Sequence, residues 1–141
     1  MSILEQLVSA FPQDLSSACV DEDFILANPN VMELSGQPDL LDVVPAYIRW
    51  CTKYPAESNL VSDYTLAALA EYGRCNNPTN SYLNFRHLCS PEQQEAVVAF
   101  LAWASKAIPF HHEAQLARAL HNWKSVANFS SMDSSVNSAE R

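Results

Sequence analysis

Only two glycines, Gly36 and Gly73, occur among 141 residues, against eight prolines. Sheet-rich folds spend glycine on tight hairpin turns that need positive φ, whereas helices can be opened by proline at their first position. So small a supply disfavours strand-based architectures and points to an all-α chain. Hydrophobic residues make up 48% and charged residues 17% of the sequence, far from the composition of a disordered segment. The chain is therefore expected to fold around a real core, and at this length that core belongs to one domain.

Hydrophobic periodicity and start signals divide the chain into helices. The strongest start lies in LCSPEQQEAVVAFLAWA, residues 88–104. Ser90 can cap, Pro91 fits the first helical position, and Gln93 can reach back to the Ser90 amide. The apolar run that follows, residues 96–104, is less than half the ~20 residues a membrane span needs, so it reads as a helix buried in the core. Ser2 and Glu5 form a second capping-box pattern ahead of Ile3, Leu4, Leu7, Val8 and Phe11. One or two short helices are expected between Leu15 and Leu34, broken by the NPN at 28–30. After the GQPD turn at 36–39, Leu41, Val44, Ile48 and Cys51 recur at helical spacing, and Pro45 argues for a helix that starts near it and ends by Tyr54. Ser62 or Asp63 is expected to cap the next helix, with Leu66, Leu69 and Ala70 inward and Gly73 as its stop. Residues 74–88 read as a long loop pinned by Tyr82, Leu83, Phe85 and Leu88. A last helix, about 110 to 124, carries Leu116, Leu120 and Trp123. Six serines in the final seventeen residues suggest a flexible tail. The expectation is a compact bundle of about five to six helices over residues 1–124, with a disordered tail at 125–141.

Charge is distributed unevenly. The net charge is −8, and residues 1–70 hold ten acids against the two bases Arg49 and Lys53, while residues 71–141 are balanced. An acidic half repels phosphate backbones and anionic headgroups and attracts a basic partner. Neither nucleic acid nor membrane is therefore an expected partner. The expected function is non-enzymatic protein binding, in the manner of an immunity or inhibitor protein that holds a basic toxin or effector. Its candidate contact residues are Asp21, Glu22, Asp23, Glu33, Asp39 and Asp42, with Trp50 as an aromatic that serves either core or interface.

Sites for chemistry are sparse. No phosphate loop, dinucleotide fingerprint, nucleophile elbow or calcium loop is present, and no cofactor or metal is expected. The N-terminus lacks a basic n-region ahead of an apolar stretch, so a cytoplasmic chain with reduced thiols is expected for Cys19, Cys51, Cys75 and Cys89. His111 and His112 are adjacent and His121 lies nine positions on, so they share no helical face. The alternative enzyme reading is a thiol or metal site assembled across the fold from His87, Cys89, His111 and His112. A third reading is an oligomerising module, a homodimer that uses the apolar helix at 96–104.

The pieces VVPAYIRW at 43–50 and NFRHLCSPEQQEAVVAFLAW at 84–103 resemble a pattern found in small bacterial proteins without an assigned activity. The shared positions are Phe85, Leu88, Pro91, Gln93, Val97, Phe100, Leu101 and Trp103. The resemblance implies no catalytic residue; it adds only that small bacterial proteins of this type act in places as immunity or accessory partners.

Overall fold

A helix leaves its first amides without partners, and four helices of this chain begin where a side chain supplies one. In the computed structural model, which describes residues 2–12, 20–36, 39–55, 60–108 and 113–136, α1 spans Ile3–Ala10 and α6 spans Pro91–Ala107. Both start with a complete capping box, Ser2 with Glu5 and Ser90 with Gln93, as their sequences predict. Asp21 caps α2 (Glu22–Ala27), and a 3₁₀ turn follows at Val31–Glu33 beyond the NPN break. Asp39 caps α3 (Leu40–Lys53) by accepting from the Leu41 amide at 3.1 Å.

Seven α-helices and no strand occur among the described residues, so the chain is all-α. Several boundaries differ from the sequence expectation. α3 does not start at Pro45 but runs through it. The proline removes the bond to the Leu41 carbonyl, and burial of Leu40, Val43 and Val44 ahead of it outweighs that loss. α4 (Leu60–Arg74) begins before Ser62 and Asp63, and Ser62 is buried instead of capping. The segment read as a loop contains a one-turn helix, α5 (Phe85–Leu88). Of its expected anchors, Phe85 is fully buried and Leu83 partly so, while Tyr82 and Leu88 face solvent. α7 spans Glu113–Val136, so helical backbone continues past Lys124, and residues 137–141 of the expected tail lie outside the described residues. No helix among the described residues is long and apolar enough to cross a membrane.

The helices pack with α7 against α6 and α4, and α1 against α6 and α3. Phe85 sits at their meeting point, its ring 6.2 Å from Phe11 of α1, 5.5 Å from Tyr72 of α4 and 5.9 Å from Trp123 of α7. The apolar run of α6 enters this core through Ala96, Val97, Phe100, Leu101 and Ala104, all fully buried. These five are thus taken up within the chain itself.

Gly73, expected as a stop, lies inside α4 and serves a different need. A Cβ there would fall 2.9 Å from Trp123 Cδ1 and 3.0 Å from its Nε1. The missing side chain lets the indole lie on the α4 backbone and donate to the Leu69 carbonyl at 2.9 Å. Gln93 makes a second long-range tie. Its Oε1 accepts from the Ser90 amide at 2.8 Å while its Nε2 donates to the Ala10 carbonyl at 3.0 Å. One amide thereby caps α6 and closes the end of α1.

Two outcomes follow for urea denaturation. Gly73→Ala forces Cβ into the indole and should lower stability by about 1–3 kcal/mol, with a smaller loss in a Trp123→Leu background because the clashing ring is gone. Gln93→Glu keeps the capping acceptor but loses the donor to Ala10, and should cost about 1 kcal/mol; an unchanged midpoint would show that the α1 tie carries no stability.

Candidate functional site

Two tyrosine hydroxyls fix α2 on α3. Tyr47, fully buried on α3, donates to the Asn28 carbonyl at 2.6 Å, just past the end of α2. Tyr54, beyond the end of α3, donates to Glu22 Oε2 at 2.8 Å. The two helices therefore run antiparallel, with the acidic start of α2 beside the last turn of α3. Burial pushes the Tyr47 hydroxyl up to about 12, and the bond to Glu22 is the main cause that raises Tyr54, so both remain donors near neutral pH.

Between the helices lies a cleft of about 230 Å³. Val20, Asp21, Glu22 and Ile25 form one side, and Ala46, Arg49, Trp50 and Lys53 the other. The Trp50 and Tyr54 rings lie 4.8 Å apart at 44°. Trp50 is 8% exposed, so it is mainly a core residue whose ring also walls the cleft, and its indole N–H has no acceptor. Arg49 is half-buried, and desolvation lowers its pKa.

The structure thus brings Asp21, Glu22 and Trp50 together, and adds Arg49, Lys53 and Tyr54, which charge asymmetry alone did not single out. Asp23 is exposed on α2, Glu33 on the 3₁₀ turn, and Asp39 and Asp42 at the start of α3. At ~1.5 Å per helical residue, the start of α3 is roughly 20 Å from Lys53. The six carboxylates therefore form a string along the α2–α3 edge, not one patch. Asp21 spends one oxygen on the Phe24 amide and Asp39 one on the Leu41 amide. Asp21, Glu22, Asp23, Glu33 and Asp39 form no ion pair among the described residues.

Of the second set of candidates, the structure describes His87 and Cys89. His87 Nε2 lies 2.8 Å from the carbonyl of Cys75, not against Cys89; a carbonyl only accepts, so Nε2 carries the proton. Arg86, 5% exposed, donates to the same carbonyl at 2.5 Å. These two side chains pin the 75–84 segment, a role that periodicity does not reveal because the partner is a backbone oxygen eleven or twelve residues away. Cys89 is buried, which pushes its thiol up to about 12. Burial likewise pushes Cys51 up to about 11, against the opposing effect of the Ser62 and Thr65 hydroxyls. Such shifts disfavour the thiolate, the form that attacks electrophiles and binds metals. Among the described residues no three His, Cys, Asp or Glu side chains converge as a metal site. Cys19, His111 and His112 lie outside the described residues.

No family model, curated protein or solved structure matches the chain, so the resemblance of residues 43–50 and 84–103 carries no assignment.

Both buried thiols tie stability to alkaline pH. Above about pH 9 unfolded thiols ionise while folded Cys51 and Cys89 keep their protons, so the unfolded state binds fewer protons and stability falls as pH rises. The loss should approach about 1.4 kcal/mol per pH unit for each thiol and end near the folded values of about 11 and 12. Denaturation of wild type, Cys51→Ala and Cys89→Ala across this range measures it, and each variant should show a shallower decline.

Proposed function

We propose that the chain is a non-enzymatic protein-binding module whose acidic α2–α3 edge holds a basic partner, as an immunity or inhibitor protein holds its toxin. The observation that carries this reading is the set of exposed carboxylates at Asp21, Glu22, Asp23, Glu33 and Asp39, which form no ion pair among the described residues. Acids in solvent cost little to maintain, and Asp23, Glu33 and Asp39, which lie outside the cleft that holds Arg49 and Lys53, leave a negative field for a partner to satisfy. Their string-like arrangement suits an extended basic surface or helix face better than one inserted side chain. Cap geometry holds Asp21 and Asp39 in fixed positions, so part of the edge is pre-organised, and pre-organisation lowers the entropy lost on binding.

Asp23 and Glu33 offer the cleanest test because neither forms a cap or contacts the core. The Asp23→Lys, Glu33→Lys double variant should keep its thermal stability and lose at least about tenfold in association with the partner captured from host lysate at low salt. Wild-type capture should itself weaken as salt rises. A partner that binds the double variant as tightly as wild type would overturn the acidic-edge reading.

A further inference from the structure

The cleft between α2 and α3 has a composition that a basic partner does not explain. Asp21 and Glu22 face Arg49 and Lys53 across about 230 Å³, yet none of the four closes an ion pair among the described residues. Opposite charges on flexible stems normally meet when nothing separates them, and here they line two sides of one opening. Each has capacity to spare. Asp21 commits only Oδ1, to the Phe24 amide, and Glu22 only Oε2, to the Tyr54 hydroxyl. Arg49 is half-buried, and among the described residues its guanidinium has no hydrogen bond and no carboxylate. A partly desolvated guanidinium without an acceptor is unfavourable until something supplies one. Next to it, the Trp50 indole N–H is also buried and unsatisfied.

The charges on the lining cancel, so a simple anion would meet Asp21 and Glu22 and a simple cation would meet Arg49 and Lys53. A molecule with one charge of each sign satisfies both sides. We propose that this cleft binds a small zwitterion of the α-amino-acid type, with its carboxylate at Arg49 and Lys53 and its ammonium at Asp21 and Glu22. The Trp50 ring and the Val20, Ile25 and Ala46 side chains provide apolar surface for an aliphatic or aromatic side group. The inference goes beyond the protein-binding reading: it shares Asp21 and Glu22 with that edge but rests on Arg49, Lys53 and Trp50, which the edge does not use.

The test titrates the full chain with glycine, leucine and phenylalanine, and with isoamylamine and isocaproate, each of which keeps one charge of leucine. Calorimetry gives the affinity, and the indole N–H resonances of Trp50, Trp103 and Trp123 report the location. Saturable binding of leucine or phenylalanine is expected, at least about tenfold tighter than either single-charge analogue, with the largest resonance shift at Trp50. Arg49→Gln and Glu22→Gln should each weaken it by about tenfold or more, with thermal melts that show both variants folded. Absence of binding by all three amino acids up to about 10 mM would overturn the proposal. So would equal binding of a single-charge analogue, or affinity unchanged in both variants. Failure on these terms leaves the acidic edge untouched, since its own test uses Asp23 and Glu33.

Discussion

The fold turns on one close approach, that of the Trp123 indole to the α4 backbone. Helix axes usually stay 8–10 Å apart because side chains intervene, and a glycine at the contact removes that spacer. With Gly73 beneath it, the ring lies flat enough for its N–H to reach the Leu69 carbonyl, which the Gly73 amide already uses in the helical ladder. The indole thus buries its large apolar body and still satisfies its single polar atom. From there the packing spreads through Phe85 to Tyr72 and Phe11, so α1, α4, α5 and α7 share one aromatic centre.

The candidate site rests on a different principle, polar ties at the ends of a short helix. α2 has six residues, too few to be stable alone. It is held by one buried hydrophobic residue, Ile25, and by tyrosine hydroxyls near its two ends. Because the Tyr54 bond uses Glu22 itself, the group that anchors the helix also lines the cleft. Positioning and the proposed binding therefore draw on the same carboxylate, while Asp23, one residue on, is exposed.

What could be read from the sequence was local. Capping boxes at Ser2 and Ser90 were legible because donor and acceptor lie three residues apart. That the 96–104 run enters the core was legible from its length and composition, but only one face of it is buried: Val98, Ala99 and Trp103 are partly exposed and Ala102 is exposed. Boundaries failed where tertiary packing overrode a local rule. Pro45 marks a helix start by its missing N–H, but the buried side chains before it extend α3 backward. Gly73 marks a stop by its flexibility, but its smallness was needed inside α4. The roles of Arg86, His87 and the second half of Gln93 were hidden because each contacts a backbone oxygen, and any residue can present one. The acidic string was visible as charge; its facing cations were visible too, yet only the antiparallel seating of α2 on α3 brings them opposite Asp21 and Glu22.

The order of the chain gives the Trp123 seat a temporal meaning. Leu69 and Trp123 are 54 residues apart, and a ribosome adding ~5–20 residues per second takes roughly 3–11 s to cover that distance. During that interval α4 has been made but the groove beside Gly73 is open, and Phe85 lacks one of its three ring neighbours. A nascent chain therefore exposes an apolar strip until one of its last helices arrives, and any early compaction must be reversible enough to admit it. The seat beside Gly73 is therefore filled only once α7 has been made, whatever order the earlier helices follow.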